Sequence, residues 1–348
     1  MPRPIIIQFV SRTVKEEVWK LSREARVCKE KKIIFKKYFS KEDREAREKL
    51  WPRVDEARRR GKKAFLKEGY AIIDGKKCSM SVLFTSLNVR GLKNLTKRKA
   101  LFLFCKELKA NLIFLQETHS STADEKFWKQ QWGDNVLYSH GTNYSAGVMI
   151  LCNRLTGKVI SHIGDKDGHW LIAAIEICDQ TIIVLSIYGY NNKVNNRSML
   201  EKLGRLVNEW KAVHMTDKVV MGGDFNIAPN SWLDRLPPRG QQPENNEVLH
   251  NFCIETNTFD YWRLNNPTNL EYTWISASNR NQRSRLDYWL ISHSISNNVQ
   301  KCEITASPLT DHCLISLSLL VTKQPRSSGN IWKLNNRLLS NDFFFANK

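Results

Sequence analysis

The sequence has few features of secreted, zinc-binding or membrane-spanning proteins. Its eight cysteines are scattered and form no C-x-x-C pair, which argues against a zinc site or a disulfide framework. No signal-peptide pattern opens the chain, and no run approaches the ~18 consecutive apolar residues that span a bilayer. No two aspartates are adjacent, so the paired aspartates of a reverse transcriptase active site are missing. We therefore expect an intracellular protein with no membrane partner.

Acidic residues are scarce relative to basic ones. The 348 residues include 54 Lys and Arg but 35 Asp and Glu, which gives a formal net charge of +19 at pH 7. Residues 1–79 alone hold 24 basic and 12 acidic residues. A chain this basic is typical of proteins that bind polyanions, which means nucleic acid or an anionic membrane.

The composition changes near residue 79. Residues 1–79 are rich in charge and predict a small basic α+β domain. From residue 81 onward, short apolar β-rich runs recur with helical stretches between some of them, which is typical of a layered α/β sandwich. We place this second domain at residues 80–322. Residues 323–348 begin with a linker-like segment, and we interpret them as the stump of a truncated polyprotein.

Polar residues lie at the ends of the predicted strands, where a side chain can be held rigidly beside solvent. These candidates are Asn88, Glu117, Tyr188, Asp224, Asn226, Asp287, Asp311 and His312. Glu117 offers hard oxygen ligands for Mg²⁺. Asp224 and Asn226 are two residues apart, so on an extended backbone both side chains face the same side. Asp287 is suited to accept a hydrogen bond from a ring nitrogen of His312.

Together these residue types indicate attack of water on a phosphodiester. The set combines a metal ligand, an oriented base and uncharged donors at Asn88, Asn226 and Tyr188. Each piece alone has an ordinary explanation, because Asp-x-Asn is usually a turn and a single Asp-His pair is usually a surface pair or a satisfied core histidine. We favour the functional interpretation because the ordinary explanations would each need a separate coincidence.

The order of these motifs resembles that of the endonuclease/exonuclease/phosphatase superfamily over about residues 81–320. Ser-Leu-Asn-Val-Arg-Gly-Leu at 86–92 and Gln-Glu-Thr-His at 116–119 most resemble the apurinic-endonuclease-like domain of LINE retrotransposon polyproteins. Residues 332–336 resemble the segment that joins that domain to the reverse transcriptase. The resemblance implies a four-layered α/β sandwich of the DNase I-like kind.

The resemblance also implies a role for each candidate. Glu117 and Asp311 would lie at a divalent metal, either Mg²⁺ or Mn²⁺, and Asp224 would orient or activate the attacking water. Asn88 and Asn226 would hold the phosphate or metal-bound groups. Tyr188 would stabilise the scissile phosphate, and Asp287 would pair with His312. Whether His312 deprotonates water or mainly stabilises charge stays open.

The resemblance extends to residues that would contact DNA. Thr273 matches a position that contacts DNA in the retrotransposon enzymes. The loop that follows carries Arg280, Arg283 and Arg285, which are predicted to lie along backbone phosphates. A solvated basic loop without a ligand is the alternative for Arg280 and Arg283.

Residues 1–79 resemble the C-terminal nucleic-acid-binding domain of the LINE first-frame protein, which binds RNA. The coiled coil and RRM-like partner of that protein are missing here. The alternative to a functional domain is therefore a truncated one that binds only non-specifically. If the domain is functional, its basic residues bind phosphate. The residues predicted to do so are Arg58, Arg59, Arg60, Lys62 and Lys63.

The leading hypothesis is a Mg²⁺-dependent endonuclease that nicks DNA. Alternatives with the same fold are a repair-type apurinic endonuclease of the exonuclease III kind and a phosphatase that acts on phosphoinositides or other small phosphoesters. The basic charge disfavours the phosphatase. A different class is a catalytically silent retroelement remnant that only binds nucleic acid. We expect the protein in the nucleus, with the cytoplasm as the alternative, and the sequence does not predict its oligomeric state.

Overall fold

The computed structural model describes residues 50–52, 54–67, 70–73, 76–77 and 80–321 without 156, 179 and 239–242, together with residues 18, 20–22, 25, 26 and 30. The chain divides into two compact units, Met1–Cys78 and Ser79–Lys348. The predicted linker at 323–348 lies outside the described residues, as does most of the chain before residue 50. The predicted domain limits therefore stay a prediction.

The described part of the first unit combines helix and antiparallel sheet. Residues 50–52 and 54–59 are helical, and Gly61, two residues beyond, has a positive φ of 74°, which is common just after a helix. The strands β1 (Ala64–Lys67), β2 (Tyr70–Ile73) and β3 (Lys76–Lys77) form a sheet in the order β1–β2–β3. Its small apolar core contains Leu50, Val54, Ala57, Ala64 and Ala71.

The second unit is built from strands and helices that alternate along the chain. In chain order its strands are β4 (Met80–Asn88), β5 (Leu112–Gln116), β6 (Val136–Ser139), β7 (Val148–Cys152), β8 (Gly157–Gly164), β9 (Trp170–Ile177), β10 (Gln180–Tyr188), β11 (Val219–Asp224), β12 (Arg235–Leu236), β13 (Thr258–Asp260), β14 (Trp274–Ile275), β15 (Arg283–Ser284), β16 (Asp287–Ser292), β17 (Val299–Thr305) and β18 (Leu314–Val321). The α-helices are α1 (Leu95–Glu107), α2 (Glu125–Trp132), α3 (Lys193–Val213), α4 (Pro243–Thr256) and α5 (Tyr261–Asn265), and two 3₁₀ helices cover Thr122–Asp124 and His293–Asn298. None of the helices in the described ranges is both long and apolar enough to cross a membrane.

These strands form two large mixed sheets and one small sheet. Sheet I has the order β17–β18–β4–β5–β7–β6, sheet II has the order β13–β16–β11–β10–β9–β8, and the small sheet has the order β12–β15–β14. The pairs β4–β5 and β10–β11 are parallel. Parallel neighbours need a crossover connection, and the helices α1 and α3 provide it.

The two large sheets pack face to face, and strand β5 shows why. All five of its residues are buried, and successive side chains point to opposite faces of a strand. Leu112 and Phe114 therefore join the core between the two sheets, whereas Ile113 and Leu115 join the core under the helices of sheet I. A strand that is covered on both faces is apolar throughout.

Helices cover the outer face of each large sheet. On sheet I, Leu101 of α1 and Trp128 of α2 share a core with Ile113. On the outer face of sheet II, Leu203 of α3 and Phe252 of α4 form the corresponding core. The layers are helices, sheet I, sheet II and helices, so the predicted four-layered α/β sandwich is confirmed.

The topology brings the candidate residues to one edge of the sandwich. Asn88 at the end of β4 pairs with Gln116 at the end of β5, and Tyr188 at the end of β10 pairs with Asp224 at the end of β11. Asp287 begins the antiparallel strand β16 opposite Asp224. The carboxyl ends of parallel strands are the usual place for a ligand site in α/β folds.

Trp289 packs between the two large sheets, and its ring centroid lies 5.4 Å from that of Phe114 and 6.2 Å from that of Phe84. We predict that Trp289→Ala lowers the free energy of unfolding by about 3–5 kcal/mol because it leaves a cavity in this core. Trp232→Ala removes the same side chain from a position that is 59% exposed and should change that free energy by about 0.5 kcal/mol or less. Denaturation followed by circular dichroism measures both, and equal losses would contradict the prediction.

Candidate active site

The candidate residues share one cleft at the edge where these strand ends meet. The cleft has a volume of about 460 Å³. The predicted residues that line it are Asn88, Glu117, Tyr188, Asp224, Asn226, Asp311 and His312. Asp287 is buried and hydrogen-bonded to the ring of His312. Every predicted catalytic or metal-binding residue is therefore in the cleft or in contact with a residue that lines it.

The side chain of Asn88 connects the two large sheets. Its Nδ2 donates to Oε1 of Glu117, which follows β5, and to Oδ2 of Asp224, which ends β11, each at 3.0 Å. Its Oδ1 accepts a hydrogen bond from the backbone N–H of Arg90 at 3.0 Å. Asn88 is buried, so its amide is held in one orientation and fixes the two carboxylates relative to each other.

A second buried amide joins the sheets next to Asn88. Gln116 donates from Nε2 to the hydroxyl of Ser186 in sheet II at 3.0 Å, and its Oε1 accepts from the hydroxyl of Ser86 in sheet I at 3.2 Å. All three side chains are buried. Buried polar groups that are satisfied in this way make a rigid and specific connection.

Glu117 also accepts a hydrogen bond from Tyr188. The hydroxyl of Tyr188 lies 2.7 Å from Oε1 of Glu117, the same oxygen that Asn88 contacts. Burial and the negative charge of Glu117 raise the pKa of Tyr188, so the hydroxyl keeps its proton and remains a donor. Glu117 has a φ of 52°, a left-handed conformation that costs energy in a non-glycine residue and is common at functional sites.

His312 is held by Asp287 and faces Asp224. Its Nδ1 lies 2.9 Å from Oδ2 of Asp287, and its Nε2 lies 3.8 Å from Oδ2 of Asp224. Thr273 fixes the backbone before Asp287, because its Oγ1 accepts from the N–H groups of Leu286 and Asp287 at 2.9 and 3.0 Å. The backbone next to His312 is anchored to the same segment, since the N–H of Cys313 donates to the carbonyl of Thr273 at 2.6 Å.

Neighbouring charges and burial shift the pKa values of His312 and Asp224. Burial lowers the pKa of His312, but the negative charge and hydrogen bond of Asp287, together with the charge of Asp224, outweigh burial and raise the pKa to about 9. Burial and the charge of Asp287 raise the pKa of Asp224 to about 7, against the opposing effects of His312 and Asn88. The neighbouring carboxylates therefore favour the protonated form of the imidazole, and burial favours the protonated form of Asp224.

Asn226 is positioned through backbone contacts. Its N–H donates to Oδ1 of Asp224 at 3.0 Å, and its Nδ2 donates to the carbonyl of Gly189 at 2.6 Å. Gly223, one residue before Asp224, has a φ of 147°, and a Cβ there would lie 1.9 Å from the carbonyl oxygen of Ile187. Only glycine therefore allows β10 and β11 to approach at this point.

The structure adds residues that the sequence did not single out. Arg90, Arg235 and Trp274 line the cleft. The ring of His169 stacks on Tyr188 with centroids 5.3 Å apart, and its Nδ1 lies 2.7 Å from the carbonyl oxygen of Tyr188. Arg90 was visible inside the Asn-Val-Arg-Gly segment, whereas no local pattern connects His169 to Tyr188.

Two predicted DNA contacts are wrong. Arg285 is fully buried and pairs with Asp234 at 2.7 Å and with Asp260 at 2.7 Å, so its guanidinium is not available to a phosphate. Thr273 is also fully buried, with its hydroxyl occupied by the two backbone N–H groups described above. Both residues support the segment that leads into Asp287, and neither presents a surface to DNA.

The other predicted nucleic-acid contacts lie on the surface. Arg280 and Arg283 are exposed, and the Nε of Arg283 donates to the carbonyl of Arg280 at 3.1 Å. In the first unit the exposed basic residues are Arg58, Arg59, Arg60, Lys62 and Lys63. These positions are accessible to phosphate, and their binding role stays a prediction.

The donor set of the cleft fits a divalent cation with oxygen ligands. Among the described residues, one group of three metal-ligating side chains lies within 4.8 Å, namely Asp224, Asp287 and His312. His312 is not the ligand that Mg²⁺ prefers, because this cation favours oxygen donors over imidazole nitrogen. Glu117 fits better, since its half-buried carboxylate is oriented by Asn88 and Tyr188, as supporting hydrogen bonds orient metal ligands in general.

A family model for the Endonuclease/Exonuclease/phosphatase family matches residues 85–312, more than half of the chain. The chain belongs to the endonuclease/exonuclease/phosphatase family. The matched segment contains all eight candidate residues, from Asn88 to His312. The resemblance inferred from the motif order is confirmed.

Two known proteins are similar to this family member in sequence over most of the chain. The "Transposon TX1 uncharacterized 149 kDa protein" of Xenopus laevis is 24% identical over 268 residues, which cover 76% of this chain and 20% of that protein. The chain therefore spans about a fifth of the length of this transposon relative. The "Exodeoxyribonuclease" of Bacillus subtilis (strain 168) is 24% identical over 253 residues, which cover 67% of this chain and 97% of the relative.

Solved structures share the fold. The AP endonuclease LMAP from Leishmania major matches with a TM-score of 0.59 and 19% identity, over 70% of this chain and 88% of that one. The 3'-5' exonuclease NExo from Neisseria meningitidis matches with a TM-score of 0.57 and 17% identity, over 68% of this chain and 99% of that one. The DNase I-like sandwich predicted for this family member is thus confirmed.

The protonation of His312 depends mainly on Asp287. We predict that in metal-free Asp287→Asn the pKa of His312 falls from about 9 by about 1–3 pH units, because the closest negative charge is removed while burial remains. Asp311→Asn is the matched control, since the charge of Asp311 contributes less than that of Asp287. Histidine NMR resonances followed over pH measure both variants, and an unchanged pKa in Asp287→Asn would contradict the assignment.

Proposed function

We propose that the protein is a Mg²⁺-dependent endonuclease that nicks DNA by attack of water on a phosphodiester bond. The arrangement at Asn88 carries this proposal. Its side-chain amide donates one hydrogen bond to Glu117 and one to Asp224, and Asp224 lies 3.8 Å from His312. Carboxylates, a protonated imidazole and neutral donors in one cleft supply both a proton acceptor and groups that stabilise negative charge.

Asp224 is the proton acceptor for the attacking water. Burial and the charge of Asp287 raise its pKa, which makes it a stronger base than an exposed carboxylate. Its Oδ1 is oriented by the N–H of Asn226 and its Oδ2 by Asn88, so the carboxylate is held in position. His312 is less suited to this role, because the charges of Asp287 and Asp224 favour its protonated form.

His312 and Tyr188 stabilise the phosphate. The charged ring of His312, held by Asp287 at 2.9 Å, favours the additional negative charge that develops on the phosphoryl oxygens as water attacks. The hydroxyl of Tyr188 is an uncharged donor in the same cleft. Of the two roles that the sequence left open for His312, we therefore propose charge stabilisation.

Glu117 would hold the divalent cation, with Asp224 beside it. When bound, Mg²⁺ neutralises charge on the phosphate and lowers the pKa of a coordinated water. The chemistry of the ligands favours Mg²⁺ or Mn²⁺, because both prefer oxygen donors.

DNA is the proposed substrate class for two reasons. The formal net charge of +19 favours a polyanionic substrate over small phosphoesters. The matched relatives include an exodeoxyribonuclease and a transposon protein. A protein that nicks chromosomal DNA would act in the nucleus, which is our proposed location.

The first unit would bind RNA or DNA through its basic surface. Arg58, Arg59 and Arg60 are exposed on or beside one helix, although Arg59 and Arg60 also form pairs with Asp55 and Glu56 four residues earlier. Exposed pairs of this kind are weak, so phosphate can compete for both guanidinium groups. Phosphate contacts of this type would make binding depend steeply on salt.

Supercoiled plasmid incubated with the protein and Mg²⁺ should be converted to the nicked form. We predict that His312→Ala lowers the rate by about 10²–10⁴-fold, because the charged group at the phosphate is lost, and that EDTA abolishes nicking. His162→Ala, at an exposed position on β8, is the matched control and should keep the wild-type rate. Plasmid that stays intact at every protein concentration would refute the proposed activity.

A second substrate pair separates nicking from repair. A duplex with one abasic site and an intact duplex of the same sequence should be cut at similar rates by a nicking endonuclease. Strong preference for the abasic duplex would instead support the apurinic-repair alternative. Salt-dependent binding of both duplexes without any cleavage would support a silent remnant that only binds nucleic acid.

A further inference from the structure

One wall of the cleft carries a permanent positive charge. Nη1 of Arg90 lies 3.1 Å from Oδ2 of Asp311, and both residues line the cleft. The carboxylate of Asp311, which the sequence predicted to be a metal ligand, is thus engaged by a guanidinium. Arginine remains protonated under all conditions that a protein tolerates, so this charge is permanent.

The backbone of Arg90 is fixed relative to the rest of the site. Its N–H donates to Oδ1 of Asn88 at 3.0 Å, and its carbonyl accepts from Nζ of Lys97 at 2.9 Å. Arg90 has a φ of 48°, and the N–H of the next residue, Gly91, donates to the carbonyl of Glu117 at 2.7 Å. The arginine is therefore carried on a tight turn that is bonded to the residues holding the carboxylates.

A second cation, Lys97, lies beside Arg90, whereas the carboxylates of Glu117 and Asp224 line the cleft. Burial and the positive charge of Arg90 lower the pKa of Lys97, while the charges of Asp311 and Glu117 raise it. A cation bound at Asp311 would compete with the guanidinium of Arg90, which lies 3.1 Å from Oδ2, and its charge would be opposed by that of Lys97. Repulsion between like charges in a partly buried site makes that arrangement unfavourable.

We propose that the cleft takes a single divalent cation, at Glu117, and that Arg90, oriented by Asp311, supplies the second positive charge directly to the substrate phosphate. The planar guanidinium presents two N–H groups that match phosphate oxygens. Its side chain is 61% exposed, so one edge can bond to Asp311 while the other faces incoming DNA. This inference rests on the proposed metal-dependent cleavage of phosphodiesters.

Binding of Mn²⁺ to the metal-free full-length chain tests the stoichiometry, with free Mn²⁺ measured by electron paramagnetic resonance. We expect one Mn²⁺ per wild-type chain. Arg90→Asn releases Asp311 and should create a second, weaker site, which Asp311→Asn in the same chain should remove. Arg154→Asn is the matched control, because Arg154 is also exposed and has the same φ of 48°, which asparagine tolerates.

The outcomes separate this inference from the proposed function. Two Mn²⁺ per wild-type chain, or a single Mn²⁺ in Arg90→Asn, would overturn the inference and leave metal-dependent cleavage intact. No Mn²⁺ bound to the wild-type chain would overturn both. The readout does not depend on nuclease activity, and the circular dichroism spectrum of each variant shows whether it is folded.

Cleavage kinetics test the phosphate contact of Arg90. We expect Arg90→Asn to lower kcat/KM for DNA nicking by about 10²-fold, as removal of one charged or hydrogen-bonding group at a reacting oxyanion does elsewhere. Arg154→Asn should leave kcat/KM unchanged. An unchanged kcat/KM in Arg90→Asn would show that the guanidinium does not reach the phosphate and would overturn this part of the inference.

Discussion

The buried amide of Asn88 is the interaction on which the site depends. It hydrogen-bonds a carboxylate from each of the two large sheets, Glu117 and Asp224, which lie 29 and 136 residues away in the chain. Gln116 repeats this connection through Ser86 and Ser186. A buried amide that lost one partner would carry a desolvation cost, so the spacing of the sheets and the geometry of the carboxylates are set together. The packing of the two sheets therefore fixes the positions of Glu117 and Asp224 relative to each other.

The cleft tolerates its buried charges because they are arranged in complementary pairs. Isolated buried ions are costly, whereas paired and hydrogen-bonded ones are accommodated. The buried ring of His312 is bonded to the buried carboxylate of Asp287, and the exposed Arg90 pairs with the partly buried Asp311. The carboxylates of Glu117 and Asp224 therefore remain for a cation, and Arg90 and His312 supply positive charge to a phosphate. A metal, a base and charge-stabilising groups can then act on one phosphodiester without competing for the same partners.

The sequence predicted the fold and the candidate site residues because both depend on local patterns. Apolar strands that end in polar residues indicate a sandwich with a site at its edge. Side chains whose environment depends on distant partners were predicted less well. Arg285 lies in a basic loop and was expected at the surface, yet Asp234, 51 residues away, neutralises it in the interior. Arg90 was overlooked because its partner Asp311 is 221 residues away, and no local spacing reveals such a pair.

The position of the cation tests the account most directly. Crystals of the protein grown with Mn²⁺ would locate it by anomalous scattering, independently of any activity measurement. We expect one manganese peak within coordination distance of a carboxylate oxygen of Glu117, with Arg90 still paired to Asp311 and the ring of His312 bonded to Asp287. A peak coordinated by His312, or by Asp311 with Arg90 displaced, would contradict it.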